Sequence, residues 1–126
     1  MAHHLKDLAV ELADRPGTVA SLGEALGKAG INIDGISGMQ AGGKGTVHIL
    51  VEDAAGARKA LEGSGATVTG ETEVVVVQMQ DRPGELGKLT RKIAAAGVNL
   101  NLIYLATNTR VVLGSTDVAK LRSAVG

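Results

Sequence analysis

The chain of 126 residues has no cysteine, no tryptophan, no phenylalanine and a single tyrosine, Tyr104. Lack of cysteine excludes disulfides, thiol catalysis and thiolate metal sites, and fits a reducing, cytoplasmic setting. Lack of aromatics means that any core must be Val, Leu, Ile and Ala in closely packed small layers. Charge of one sign is also missing. Lys plus Arg equals Asp plus Glu at 13 each, and no basic cluster stands out, so nucleic acid has little electrostatic reason to bind. No run of residues approaches a membrane span. The start, Met1 to Lys6, lacks the apolar stretch of a signal peptide. A soluble intracellular protein is expected. With this length there is room for one ordinary domain or two very small ones.

What is present is a motif written twice. Asp14-Arg15-Pro16-Gly17 returns as Asp81-Arg82-Pro83-Gly84, an offset of 67 residues (81 − 14). The same offset aligns Leu8, Val10 and Leu12 with Val75, Val77 and Met79, and Leu22, Leu26, Gly30, Ile31 and Asn32 with Leu89, Ile93, Gly97, Val98 and Asn99. A repeat this long is no solenoid unit. It is a compact set of elements, too small to be stable alone, so the two copies should pack on each other or on a second chain.

Leu8, Val10 and Leu12 alternate with Asp7, Ala9 and Glu11, which predicts a strand with one wet face. Past the turn, Val19, Leu22, Leu26 and Ala29 form one helical stripe. Asp14 reads as its cap and Pro16 as part of its first turn. Gly30 followed by Ile31 ends it in the manner of a left-handed cap. A strand is expected over 31–40, a turn at Gly42-Gly43-Lys44-Gly45, a strand over 46–52, a helix capped by Asp53 over 54–61 and a brief strand over 66–69. The second copy repeats the order: strand 73–80, helix 84–96, strands 98–106 and 109–116, helix 118–125. No fourth strand follows before Gly126.

This order is a ferredoxin-like βαββαβ sandwich of the α+β class, repeated twice, with the second copy lacking its fourth strand. The expected domains are 1–70 and 71–126. The missing strand leaves 73–80 with an open edge, and Val74-Val75-Val76-Val77 there would be prone to aggregation. Two covers are open: residues 66–69, joined to 73–80 through a turn at Gly70-Glu71-Thr72, or a strand from a partner chain. The unbroken apolar run also suggests that both faces of this strand are buried.

The Asp-Arg-Pro-Gly turn between first strand and first helix, with Gly-Ile/Val-Asn opening the second strand, resembles the ACT domain. ACT domains are small ligand-sensing modules attached to amino-acid biosynthetic enzymes such as phosphoglycerate dehydrogenase and aspartokinase. The resemblance covers nearly the whole chain, in two copies, with no enzyme attached. It implies a regulatory protein without catalytic activity, in a homodimer, binding a free amino acid or similar small zwitterion where two such units meet. The site residues it implies are Asp14, Arg15, Pro16, Gly17, Thr18, Asn32 and Ile33, with Asp81, Arg82, Pro83, Gly84, Glu85, Leu86, Asn99 and Leu100 in the second copy. The chemistry is compatible. Free N–H groups at a helix start suit a carboxylate, Gly17 and Gly84 allow close approach, Asp14 or Asp81 can accept from an ammonium, and Asn32 and Asn99 can donate and accept at once. Plainer roles stand beside these: helix capping for the aspartates, solvation for the arginines, local turn bonds for the asparagines. Because Thr18 and Glu85 differ, two equivalent sites are not expected. The alternative function is a ligand-free interaction or oligomerisation module that docks a biosynthetic enzyme or regulator.

Other signals fail. Gly38 to Lys44 satisfies G-x-x-x-x-G-K, but Gly45 stands where magnesium binding needs Ser or Thr, and a strand follows instead of a helix. It reads as a hairpin. His3 and His4 adjoin at an end expected to fray, and His48 lies in a strand with no carboxylate at ligand spacing, so no metal is expected. Neither a cofactor cradle nor a nucleophile–base pair is apparent.

Overall fold

A computed structural model describes residues 4–126; His3 lies outside them. The elements are β1 (Lys6–Ala13), α1 (Thr18–Lys28), β2 (Gly35–Ala41), β3 (Lys44–Val51), α2 (Ala54–Leu61), β4 (Thr67–Glu73), β5 (Val75–Gln78), α3 (Glu85–Ala95), β6 (Leu102–Ala106), β7 (Arg110–Gly114) and α4 (Val118–Val125). The α+β class and the doubled ferredoxin-like order are those expected. No helix among the described residues is long and apolar enough to cross a membrane.

Both long helices end in the same six-residue closure. Gly30 and Gly97 take φ of +73° and +75°, and the next N–H reaches back into the helix, from Ile31 to the Leu26 carbonyl at 2.9 Å and from Val98 to that of Ile93 at 3.3 Å. This is the Schellman arrangement. It also explains why β2 and β6 start at Gly35 and Leu102, four residues later than alternation suggests: residues 31 and 98 spend their N–H groups on the helix, not on a ladder. Asp53 and Asp117 cap the short helices through Gly56 N–H at 2.9 Å and Lys120 N–H at 3.0 Å.

All seven strands form one sheet in the order β4-β1-β3-β2-β6-β7-β5. Continuity between the halves comes from β2 and β6, paired at Gly35 and Ala106. This corrects the expectation of a bridge through residues 66–69. Residues 67–69 belong to β4, which runs on through Gly70 to Glu73 with its irregularity opposite Ala9 and Val10, and pairs with β1 alone. The bulged residue is Thr69, and Gly70 keeps its place in the ladder opposite Ala9. β5 pairs with β7.

The strand order has a geometric consequence. Laid flat, six spacings of about 4.8 Å would separate β4 from β5 by about 29 Å. Yet Glu73 ends one and Val75 begins the other, and two residues span about 7 Å. The sheet therefore curls until its ends meet at Val74, which is fully buried. Three apolar clusters follow from this shape. Leu8, Val10, Leu12, Val47, Ile49 and Val51 pack under α1 and α2. Val75, Val111 and Leu113 pack under α3 and α4 with Ile93 and Leu121. Leu5, Leu50, Val74, Tyr104 and Val112 fill the inside of the curl. The valine run thus divides between faces, Val75 and Val77 with the helices and Val74 and Val76 inside.

One turn stores strain. Between β6 and β7, Asn108 and Thr109 hold φ of +61° and +54°, the work that Gly42 and Gly43 do between β2 and β3 at +60° and +78°. For a β-branched residue this region costs about 1–3 kcal/mol. Thr109→Gly is expected to raise the unfolding free energy by about 1 kcal/mol once the lost chain restriction is deducted. Urea melts check this, and a loss of stability would count against strain at that residue.

Candidate ligand site

The two Asp-Arg-Pro-Gly turns start alike and finish differently. In each, the glycine is the helix N-cap in the left-handed region, Gly17 at φ +93° and Gly84 at +89°, with no side-chain cap. The capping role expected of Asp14 and Asp81 is therefore not filled, and Pro16 precedes the cap instead of opening the helix. With the glycine at the cap, the aspartate lies three residues upstream and makes no bond to a first-turn amide.

In the first half Asp14 instead accepts from Gln40 Nε2 at 2.6 Å, tying the turn to the end of β2. Thr18 donates its hydroxyl to the carbonyls of Ala13 (2.9 Å) and Arg15 (3.2 Å), which braces the turn from within. Between the turn and the β2–β3 strands lies a cavity of about 390 Å³, lined by Leu12, Ala13, Asp14, Arg15, Thr18, Val19, Gly38, Met39, Gln40, Gly45 and Val47. This is within the range of small-molecule sites, about 300–1,000 Å³. Arg58, Arg82, Arg110 and Arg122 each meet a carboxylate; Arg15 is not among them.

In the second half Arg82 closes onto Glu85, Nε to Oε2 at 2.7 Å, with Lys88 at 3.5 Å from the same oxygen. The Arg82 hydrogen bond, with both cations nearby, holds the Glu85 carboxyl below its ordinary range. The Glu85 N–H also bonds the Arg82 carbonyl at 3.4 Å, whereas the matching N–H of Thr18 has no main-chain acceptor among the described residues. So Arg82 and the Glu85 N–H find partners within the second turn, while the Arg15 guanidinium and the Thr18 N–H of the first have none among the described residues. Leu86 is exposed beside the second turn.

Asn32 and Asn99 follow the far ends of α1 and α3, about 16 Å of helix away from the turns. Neither joins the turn of its own half. Asn32 donates weakly to Asp34 Oδ1 at 3.4 Å and, with Glu52 and Asp53, borders a separate cavity of about 250 Å³. Ile33 packs on the first core and Leu100 on the second. Asp34 belongs to the seam between halves: its carbonyl accepts from the Thr107 N–H at 2.9 Å and the Thr107 hydroxyl at 3.0 Å, and its carboxylate meets Arg110 at 3.4 Å.

Sequence reasoning missed two things. Gly38, Met39, Gln40 and Gly45, dismissed as a failed phosphate loop, line the cavity at the first turn. The second is a polar cluster inside the curl. Asp7, expected on a wet face, is 1% exposed and accepts from the Tyr104 hydroxyl at 2.6 Å and His48 Nδ1–H at 2.7 Å. His48 thus does have a carboxylate, brought by the register of β1 on β3 and not by spacing along the chain. His4, expected to fray, lies 2.8 Å from Glu52. The coincidence of the sole tyrosine with a buried aspartate had no local signal, because the two are 97 residues apart.

With this geometry in place, likeness to known proteins becomes informative. The family model for the ACT domain matches residues 6–62, the span from β1 to the end of α2. Over this span the chain is similar to an ACT domain. No curated protein sequence matches the chain significantly. Among solved structures, a protein from Bacteroides thetaiotaomicron is 27% identical with a TM-score of 0.83, covering 95% of this chain and 85% of that one. The ligand-free regulatory subunit of aspartate kinase from Thermus thermophilus is 22% identical with a TM-score of 0.71, covering 95% and 89%. That of Thermus flavus is 20% identical with a TM-score of 0.69, covering 96% and 90%. These alignments run across both halves, so all three share the fold of the second half as well as the first.

Proposed function

We propose that the chain is a non-catalytic regulatory module that binds a free amino acid or similar small zwitterion at the turn of its first ACT domain. What carries this is the cavity lined by Asp14 and Arg15, an anion and a cation, where Arg15 and the helix-start amide have no partner among the described residues. A zwitterion supplies the complementary pair. The fold shared with regulatory subunits of aspartate kinase supports a regulatory reading. In the second half Arg82 and Glu85 neutralise each other, so ligand there must first break an ion pair, and the first turn is the stronger site.

The module works as a homodimer. Exposed Val19 and Ile36 recur at the repeat offset as exposed Leu86 and Ile103. A two-fold axis would set the first half of one chain against the second half of the other and bury both pairs, closing the cavity along Met39, which is 72% exposed. Ligand binding then acts by favouring one interface geometry, limited to its difference in affinity between states. The same exposed residues favour a second reading, an interaction module that docks an enzyme without ligand.

Thermal melts against the standard amino acids separate the two. At a concentration 100 times its dissociation constant, a true ligand stabilises by about 2.7 kcal/mol, which shifts the midpoint by several degrees. Arg15→Ala is expected to remove most of that shift, and Arg82→Ala to leave it. A flat response to every amino acid favours the interaction module.

A further inference from the structure

The geometry points to an aliphatic α-amino acid, of valine to methionine size, as the ligand of the first-turn cavity, an inference that rests on the binding role just proposed. An α-carboxylate uses Arg15 and the helix-start amide, and an α-ammonium uses the free oxygen of Asp14. No third ionisable residue lines the cavity. Its two other polar side chains are neutral and partly used: the Thr18 hydroxyl donates to two carbonyls, and Gln40 Nε2 donates to Asp14. A lysine, aspartate or glutamate side chain would leave its charge unpaired there and is disfavoured unless it bends back to water.

The walls suit hydrocarbon. Leu12 and Val47, 3% and 5% exposed, form the floor, and Val19 flanks it. Room above the floor comes from glycine. A Cβ at Gly38 would rest 3.5 Å from Val47 Cγ2, in ordinary contact and with no strained φ. The backbone therefore tolerates a methyl group at 38, and its absence leaves that volume to the ligand side chain.

Titration calorimetry on the full chain with L-valine, L-leucine, L-methionine, L-lysine and L-aspartate tests this, alongside two variants. Leucine, valine or methionine is expected to bind at least ten-fold more tightly than lysine or aspartate. Gly38→Ala is expected to weaken leucine and methionine by more than it weakens valine. Val19→Asp, at an exposed position in the first turn of α1 where an acidic residue is well placed, is expected to let lysine bind while weakening leucine, and it keeps the question open to test if Gly38→Ala does not fold. Lysine or aspartate binding as tightly as leucine would overturn the aliphatic class and leave the binding role standing. So would an unchanged leucine-to-valine ratio in a folded Gly38→Ala protein. No heat and no melting shift with any of the five would overturn both.

Discussion

Tyr104→Ala is expected to lower the unfolding free energy by about 3–5 kcal/mol, the range for deleting a large buried ring. The ring fills the inside of the curled sheet with Leu5, Leu50, Val74 and Val112 and stacks obliquely on His48, centroids 6.4 Å apart. It also carries the hydroxyl that satisfies Asp7 from the other half of the chain. Tyr104→Phe isolates that bond. It retains the packing, removes one donor to a buried carboxylate, and is expected to cost about 1.5–3 kcal/mol. If the Phe protein melted like the parent, Asp7 would have to be satisfied by His48 alone. Alkaline titration gives a second handle. Burial, then the hydrogen bond and charge of Asp7, push the Tyr104 hydroxyl well above its ordinary value of 10.0. A folded-state value above the unfolded one means that this contribution is intact below pH of about 10 and is lost as pH rises beyond it. The parent should therefore lose stability above that pH more steeply than Tyr104→Phe. Parallel curves would contradict a protonated, buried tyrosine.

Gly35→Val strikes the other point where the halves join. A Cβ at 35 would sit 2.9 Å from Ala106 Cβ and 3.2 Å from Tyr104 Cε1, closer than such atoms pack. A branched side chain must push β6 off the one rung that ties it to β2, at a cost of about 1–3 kcal/mol for overpacking. Ala106→Gly removes the nearest obstructing atom and is expected to restore part of the loss. The double-mutant cycle should show coupling of about 0.5–3 kcal/mol, as contacting residues do. Additive losses would mean that the strain lies elsewhere.

These two sites also show where the sequence was readable. Within each copy, alternation in Leu8–Leu12 and the stripe through Leu22 and Leu26 specify which faces pack, so the doubled ferredoxin-like order was legible from residues alone. Asp53, Gly30 and Gly97 announced helix ends because capping is local chemistry. Relations between copies were not legible. The curl at Val74, the rung at Gly35 and the Asp7–Tyr104 bond join residues whose proximity depends on how one sheet closes, and no short pattern encodes that. The site divides the same way. The turns stood out through repetition, but Gly38, Met39 and Gln40 face Asp14 only once β2 is in register with β3. The difference between the turns was visible as Thr18 against Glu85; its meaning, an ion pair that occupies Arg82, needed the geometry.

Amide chemical shifts of the full chain during titration with L-leucine test the proposed site most directly. Binding at the first turn predicts saturable shifts at Gly17, Thr18, Gly38 and Gly45, with Gly84 and Glu85 moving little. Shifts confined to the second turn, or to the cavity around Asn32, would contradict it.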